Sequence, residues 1–489
     1  MNAHGPIALA SAFGLALAFA SLQASPPDVS QLDKLPANTN AILAADVSAA
    51  YSSPIGQAQG WAKRYGETHH ASLGSLPPSV NSLLVGARYD FGRMGPVWQI
   101  GLVGSPITLD QIAKAEGGVI QKFGNQTSAV ESPRGAFFAT VDNYQTAVFA
   151  PADRQAFARW LRNVGAGKTQ GGSAFLRKAL ATRGNAPMMA AADLSDLVDP
   201  LASRLYFGHL PTTVKLQLNP TDIATLFSGL KGAILRINMT DRLSGQLQIE
   251  FSDDIGLLAS PLPELLQDIL ADAGAVVSEI GTWKPTVAKN TLTLDGPLSI
   301  EAMRKIISLF ELPGAGGMNT SPGETRNSAD VNATLRYFKS VSDILAELRQ
   351  VKSRLDDDKG YEKYAVWYDN YAKKIDYLPV VGVDPALVDF GTKTAGVLRA
   401  IGDSLRGVPL KTKQAGAGAY YYYSAFGQTS RRRGSWASVN VDTNLPKVRQ
   451  EQEKIIAGDT QARNDAWKEI DDHLASIRTK MSEQFKLNF

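Results

Sequence analysis

The sequence predicts an α+β protein in which two tandem copies of a mainly antiparallel sheet-plus-helix module precede a C-terminal helical bundle or coiled-coil pair. Three observations support this fold class. Similar segments recur at a nearly constant offset, strand-like alternation fills the chain up to residue 312, and helical apolar seams replace it after residue 332.

The first observation is internal repetition. ILAADVS at 42–48 matches MAAADLS at 189–195, an offset of 147 residues, and PADRQAFARWL beginning at Pro151 matches PLSIEAMRKII beginning at Pro297, an offset of 146. The two offsets agree, and the predicted elements between these segments follow the same order. We therefore predict module copy 1 in residues 32–165 and copy 2 in residues 186–312, with the two copies superposable.

The second observation is alternation, as in Leu247-Gln248-Ile249-Glu250-Phe251, which predicts strands with one face in water. LPELLQDILADAG carries apolar residues at helical spacing and closes on Gly274, which predicts an amphipathic helix. Antiparallel sheets with helices on one face are expected. The predicted strands are AILAADV, NSLLVGARYDF, PVWQIGLVG, GVIQKF, TSAVES, GAFFATV and YQTAVFA in copy 1, and PMMAAADL, KGAILRINM, SGQLQIEF, AVVSEIGTW and NTLTLDG in copy 2.

The third observation concerns the C-terminal part. Residues 313–332 are rich in Gly, Ser and Asn, which predicts a linker before a helical domain in residues 333–489. Asp384-Pro385 predicts a helix start, with Asp as the cap and Pro in the first turn. Helices containing Phe338 and Trp467 each carry an apolar seam, so we predict that they pack against each other. Tyrosines at helical spacing are predicted to be core residues: Tyr361, Tyr364, Tyr368 and Tyr371.

The N-terminal residues predict export. IALASAFGLALAFASLQA has the length and small-residue end of a signal peptide, so residues 1–24 are interpreted as a leader cleaved after Ala20 or Ala24. The chain has no cysteine, which excludes disulfides, thiolate metal sites and lipoprotein attachment. We expect an exported protein, periplasmic or at the cell surface, with no transmembrane span after leader removal.

Charge is close to balanced, with 50 basic and 47 acidic residues, but residues 404–450 hold eight basic side chains and one acidic, Asp442. A basic, tyrosine-rich loop at 411–436 could bind an anionic envelope polymer or lipid head groups. The alternative is a disordered, solvated loop. Nucleic acid is not an expected partner, because the leader directs the chain out of the cytoplasm. The candidate binding residues are Lys411, Lys413, Tyr420, Tyr421, Tyr422, Tyr423, Arg431, Arg432, Arg433 and Trp436.

Several short motifs resemble catalytic, phosphate-binding or metal-binding sites, but the residues around them do not fit such sites. GAGKT at 165–169 resembles a phosphate-binding loop, but Arg162 occupies the first glycine position and a helical pattern precedes the run, so it is predicted to end a helix. The rings of the adjacent residues His69 and His70 should point in different directions, so a shared metal site is not expected. The remaining near-matches are Asp356-Asp357-Asp358 for calcium, Ser228 with Lys231 for S-x-x-K, and Ser404 for a nucleophile elbow. We predict no catalytic residue, no metal site and no cofactor.

Four segments carry a resemblance to known proteins: LPANTNAILAADVSAAYSSPIGQAQGW, YFKSVSDILAELR, YAVWYDNYAKKIDYLPVVGVDP and the terminal MSEQFKLNF. With them, nearly the whole mature chain resembles an uncharacterised secreted protein family of planctomycete bacteria. The resemblance implies export and this domain order, and it supplies no activity and no site residues.

Two functional hypotheses follow. The first is an exported, non-enzymatic envelope or surface protein that acts by binding or scaffolding. The alternative is an exported hydrolase whose active site is assembled from distant residues. A deep pocket with converging carboxylates or a Ser/His pair would favour the hydrolase.

Overall fold

The computed structural model describes residues 26–92, 94–104, 107–123, 127–142, 145–169, 171–313, 330–353, 363–406, 421–424, 440–443 and 460–489. Within them the protein is mixed α/β, with one large antiparallel sheet followed by C-terminal helices. The predicted leader, most of the predicted linker and most of loop 411–436 lie outside the described residues.

Helices and strands are numbered in chain order. The helices are α1 Val29–Leu32, α2 Val47–Ser52, α3 Pro54–Ala58, α4 Trp61–Glu67, α5 Leu109–Glu116, α6 Arg154–Gly165, α7 Ala174–Ala181, α8 Pro200–His209, α9 Pro211–Leu216, α10 Pro220–Ser228, α11 Leu262–Asp272, α12 Ile300–Ser308, α13 Val331–Ser353, α14 Ala365–Asp376, α15 Pro385–Leu405 and α16 Thr460–Phe485. The strands are β1 Ala41–Asp46, β2 Ser82–Asp90, β3 Gly95–Gly104, β4 Val119–Phe123, β5 Thr127–Ser132, β6 Ala136–Asp142, β7 Gln145–Ala150, β8 Met188–Asp193, β9 Leu230–Met239, β10 Leu243–Phe251, β11 Lys284–Ala288, β12 Thr291–Pro297, β13 Tyr421–Ser424 and β14 Asn440–Thr443.

The large sheet has twelve strands in the order β11-β12-β10-β9-β8-β1-β2-β3-β7-β6-β5-β4. All neighbours are antiparallel, including β1 and β8, which pair at the centre and make the sheet continuous across the two predicted modules. We call β1–β7 the N-terminal half of the sheet and β8–β12 the C-terminal half.

The two faces of the sheet are covered differently. The Leu43 face, named for a β1 residue that points into it, is covered along both halves by α2, α4, α5, α8, α10, α11 and α12. The opposite face, the Ile42 face, is covered by α1, α6 and α7. The expectation of helices on one face is therefore wrong. Strands such as β7, with all six residues buried, are apolar on both sides and need cover on both.

On β9 and β10 the Ile42 face carries polar side chains beside the apolar core to which Met189, Ala191 and Ile234 belong. Arg236 of β9 donates to Gln246 and Gln248 of β10 at 3.4 and 3.2 Å, and Lys178 of α7 reaches Glu250 at 2.7 Å. The alternation of the sequence correctly predicts a polar side of β10, but this side is not fully in water: Gln246 and Gln248 are partly buried, and Glu250 is buried beside Lys178.

One predicted strand of copy 2 is wrong. AVVSEIGTW forms a 3₁₀ turn over Ser278–Thr282, and the edge strand is β11, all five residues of which are exposed. An exposed edge strand has no apolar alternation to reveal it. The turn places Trp283 flat against the cross-strand pair Gly245 and Gly296, where added Cβ atoms would lie 2.1 and 2.2 Å from the indole.

Helices α13–α16 build a separate apolar core. Phe338, Leu345 and Leu348 of α13 and Trp467 and Ile470 of α16 are all buried in it. Arg349 of α13 stacks over the Trp467 ring at 5.3 Å and pairs with Asp471. The predicted packing of the Phe338 and Trp467 helices is confirmed, as is the core position of Tyr364, Tyr368 and Tyr371; Tyr361 lies outside the described residues.

Helix α15 begins as predicted at Asp384-Pro385, where the Asp384 carboxylate accepts the Ala386 N–H at 2.9 Å. Helix α14 then attaches the helical domain to the C-terminal half of the sheet. The Trp367 indole N–H donates to the Val276 carbonyl at 2.9 Å, and the Val366 N–H donates to the Gly274 carbonyl at 3.1 Å. Trp367 consequently belongs to the core beneath the sheet and to the wall of a cavity described next.

Candidate functional site

A large apolar cavity lies on the Leu43 face of the C-terminal half, between the sheet and helices α8, α10, α11 and α12. Its volume is about 760 Å³, within the range of roughly 300–1,000 Å³ typical of ligand pockets. Almost all of its lining is aliphatic or aromatic. The cavity can therefore surround an apolar molecule of the size of a lipid chain.

The floor of the cavity is built from two rows of residues in register across the strands. One row is small: Ala41 on β1 faces Ala192 on β8, which faces Ala233 on β9. The second row is larger and contains Leu235, Leu247 and Leu294. Because alanine methyl groups end close to the backbone, the first row leaves space that larger residues would fill.

The roof is held by aromatic packing and helix caps. Phe207 of α8 contacts Phe227 of α10 at 5.0 Å between ring centroids, and Phe227 contacts Phe251 of β10 at 5.7 Å. Asp199 accepts the Leu201 N–H at 2.9 Å at the start of α8. The Asp268 carboxylate of α11 accepts the Thr212 N–H at 2.7 Å, which ties α9 to α11. These contacts keep the roof apart from the floor.

The mouth of the cavity is marked by the lining residues that are exposed to solvent: Leu197, Asp199, Tyr206 and Gln267. Ser203 lines the cavity beside them. Burial, together with the adjacent Asp272 and Asp268 carboxylates, raises the pKa of the Tyr206 phenol, so this phenol stays neutral. The mouth therefore offers hydroxyl, amide and carboxylate groups, which suit the hydrogen bonds of an uncharged polar head.

The free-energy cost of an empty cavity of this size limits what the cavity can contain. A closed, dry cavity costs about 24 cal/mol per Å³, so 760 Å³ would cost about 18 kcal/mol. That exceeds the whole stability of about 5–15 kcal/mol of a typical domain. The space must therefore exchange with solvent through the mouth or hold an apolar occupant.

A second cluster of functional groups lies where the helical domain meets the N-terminal half. His70 Nε2 lies 2.6 Å from Glu347 Oε2 of α13, and Arg304 Nη1 of α12 donates to the same oxygen at 3.3 Å. The Tyr371 hydroxyl of α14 donates to Glu347 Oε1, and the Lys374 ammonium lies 4.4 Å from the Tyr371 ring centre. We call these five residues the buried joint.

Burial sets the charges in the joint. It lowers the pKa of His70 to about 4, so the imidazole is neutral at ordinary pH. Burial alone would raise the pKa of Glu347, but His70, Lys374 and Arg304 hold it below its ordinary range. His70, Glu347 and Tyr371 are at most 6% exposed, so the joint connects elements and does not offer a surface to a substrate.

The residues singled out in the sequence lie apart from the cavity. GAGKT follows the end of α6 at Gly165, as predicted. The His69 ring packs on Tyr65 at 5.6 Å, whereas His70 turns to Glu347. Ser404 lies inside α15, and Ser228 donates to the Thr225 carbonyl within its own helix turn. Asp356-Asp357-Asp358 lies outside the described residues.

Loop 411–436 is described only in part. The backbone of Tyr421–Ser424 pairs antiparallel with Asn440–Thr443. The other candidate residues lie outside the described residues: Lys411, Lys413, Tyr420, Arg431, Arg432, Arg433 and Trp436. Binding of an anionic surface by this loop stays a prediction.

Sequence reasoning missed the cavity. The signal was present in MAAADLS, where small residues stand at the face that other strands fill with Leu, Ile and Val. It could be interpreted only once the partner strands were known, because Ala41, Ala192 and Ala233 come together from distant parts of the chain. The buried joint was missed for the same reason, since Glu347 lies 277 residues after His70.

No family model and no curated protein matches the chain. Among solved structures, it is similar to TP0453 in crystal form I, with 12% identity and a TM-score of 0.34 over 59% of this chain and 100% of that chain. Forms III and IV give 11% identity and the same TM-score over 58% of this chain and 98% and 97% of theirs. Similarity at this level supports no inference about function. Within the described residues, no helix combines the length and the hydropathy needed to cross a bilayer.

Proposed function

We propose that the protein is an exported, non-enzymatic binding protein of the cell envelope, and that its ligand is a lipid or similar apolar molecule with an uncharged polar head. The observation that carries the proposal is the apolar cavity of about 760 Å³ with polar groups confined to its mouth. Export is supported by the leader-like residues 1–24.

The proposal includes an origin by duplication, with copies in residues 32–165 and 186–312. Leu43 and Ala190, which are 147 residues apart, pair with each other, as residues on a two-fold axis between copies would. On either side of them Ala41 pairs with Ala192 and Ala45 with Met188, so the offset of 147, which relates Ala41 to Met188 and Ala45 to Ala192, maps one pair onto the other. This register supports the duplication.

The two proposed copies do not correspond in every element. Helices α6 and α12 follow the strands β7 and β12, which occupy matching places, but α6 packs on the Ile42 face and α12 on the Leu43 face. Strands β4 and β5 occur only in the N-terminal half. Divergence of this kind would let one copy keep a packed core while the other opened a ligand site.

Ligand binding can be measured with a pyrene-labelled monoacylglycerol, whose head carries two hydroxyls and no charge. Trp367 lines the cavity and is 1% exposed, so bound pyrene should accept its fluorescence energy. Ala192→Phe places a ring in the alanine row and should weaken binding at least tenfold, while Trp367→Phe should reduce energy transfer. Ala288→Phe, on the exposed edge strand β11, is the matched control.

Saturable binding that is unchanged in Ala192→Phe would contradict the proposal. Organic extraction of the purified mature chain, followed by mass spectrometry, should also recover lipid from the wild type and less from Ala192→Phe. Conversion of the probe to the free pyrene-labelled acid would instead favour the exported hydrolase.

A further inference from the structure

Exposed apolar side chains are concentrated beside the mouth of the cavity. Among the described residues, eleven large apolar side chains are exposed, and six of them come from residues 197–216: Leu197, Leu201, Leu205, Tyr206, Val214 and Leu216. Such a concentration on a water-soluble surface marks an interaction site.

Helix α8 is apolar on two opposite faces. Leu201 and Leu205 are four residues apart, so they share one face of the helix, and they are 84% and 76% exposed. Ser203, Tyr206 and Phe207 occupy the other face and line the cavity. A helix that is apolar on both sides has a second apolar neighbour besides its own core.

We propose that α8 and the following helix α9 form a membrane-docking surface, and that a lipid passes between the bilayer and the cavity beneath them. The passage of a lipid into the cavity rests on the proposed function. Docking would lay Leu201 and Leu205 among the acyl chains, with the mouth residues Leu197 and Tyr206 next to the same region. A lipid could then enter without crossing water.

The charges around this surface fit the boundary of a bilayer. Arg204 stands between Leu201 and Leu205 in the sequence, and Lys215 between Val214 and Leu216; both basic residues are exposed. Lys215 pairs with Glu264 of α11 across 3.4 Å, and both side chains of this pair are more than half exposed. Long basic side chains beside apolar residues reach the head groups while the apolar residues enter the acyl layer.

Vesicle flotation tests the docking. The mature chain is mixed with phosphatidylcholine vesicles, with and without phosphatidylglycerol, and the bound fraction is measured. Leu201→Gln combined with Leu205→Gln should reduce binding to both vesicle types at least tenfold. The matched control, Val97→Gln with Ile120→Gln, removes two exposed apolar side chains from the N-terminal half and should float like the wild type.

The monoacylglycerol probe separates the two proposals, because Leu201 and Leu205 do not line the cavity. Flotation unchanged in the leucine variant, with normal probe binding, would overturn the docking surface and leave ligand binding standing. Leucine-dependent flotation without probe binding would leave docking standing and overturn the proposed function. A wild type that fails to float and forms dimers lost in the leucine variant would assign the surface to a second copy.

Discussion

The two halves of the sheet meet at the β1–β8 pair, and their faces are covered in different ways. The N-terminal half is apolar on both faces, and its Ile42 face is filled by rings such as Phe137 and Phe157, whose centroids lie 4.8 Å apart. The C-terminal half carries polar side chains on the Ile42 face of β9 and β10, and the apolar cavity lies on its other face.

The N-terminal half is therefore the more completely packed of the two, and the C-terminal half contains the open apolar space. The N-terminal half uses its apolar surface for stability, since buried apolar area contributes roughly 25 cal/mol per Å². Its residue His70 also anchors the helical domain through the buried joint, together with Arg304 of α12. The C-terminal half leaves part of its apolar surface unfilled, and this is the surface to which we propose that a ligand binds. The two halves should therefore respond differently to substitution.

The largest expected effect contrasts the buried joint with an exposed ion pair of the C-terminal half. Glu347→Ala removes the centre of the joint and leaves the partly buried Arg304 and the buried Lys374 without the carboxylate that acts most strongly on Lys374, which should cost about 3–5 kcal/mol. Glu264→Ala breaks the exposed pair with Lys215 in the C-terminal half and should cost less than about 1 kcal/mol. Urea denaturation of both variants measures the difference. Equal costs would show that the joint does not anchor the helical domain.

Acid should weaken the same anchor. Burial lowers the pKa of His70 to about 4, whereas an unfolded histidine titrates near 6.5, so the unfolded chain binds the proton first as pH falls. The stability contributed by neutral His70 is complete above pH about 6.5 and is lost toward pH about 4, a change of about 3 kcal/mol. Glu347, with its pKa held below the ordinary range, loses stability in the same direction at lower pH.

Denaturation midpoints between pH 4 and 7 test this prediction. His70→Gln keeps an N–H donor toward Glu347 and should reduce the pH dependence of stability across this range; the part that remains comes from the neighbouring His69, whose pKa burial also lowers. His209→Gln, at an exposed position of α8, should retain the wild-type slope. An unchanged slope in His70→Gln would remove His70 as its source.

The smallest expected effect compares the same substitution at one alanine of each half. Ala45 and Ala192 are 147 residues apart; Ala45 is fully buried, whereas Ala192 faces the cavity. Ala45→Phe overfills a packed core and should destabilise the protein by about 1–3 kcal/mol. Ala192→Phe fills empty space and should leave the unliganded protein as stable or more stable. Thermal unfolding of the two delipidated variants measures this difference in stability. Equal destabilisation by Ala45→Phe and Ala192→Phe would argue against an empty cavity at Ala192.

Much of the fold could be predicted locally. Six residues of alternating or continuous apolar character are enough to indicate a strand, and Asp384-Pro385 is enough to indicate where α15 begins. Strand β11 could not be predicted, because an exposed edge strand carries no apolar pattern. The helices that cover the Ile42 face could not be predicted either, because burial of both faces of the sheet depends on which helices pack back onto it.

The local pattern of the chain was enough to predict the mixed α/β character, the change to helices after residue 332, the polar side of β10, and the apolar seams of α13 and α16. These properties depend on the spacing of apolar residues within one element, which the chain carries directly. That Ala41, Ala192 and Ala233 form one floor, and that His70 contacts Glu347, could be seen only in the folded molecule. A cavity and a buried ion pair exist only between elements, and the register and docking that bring distant residues together are set by the packing of the whole molecule.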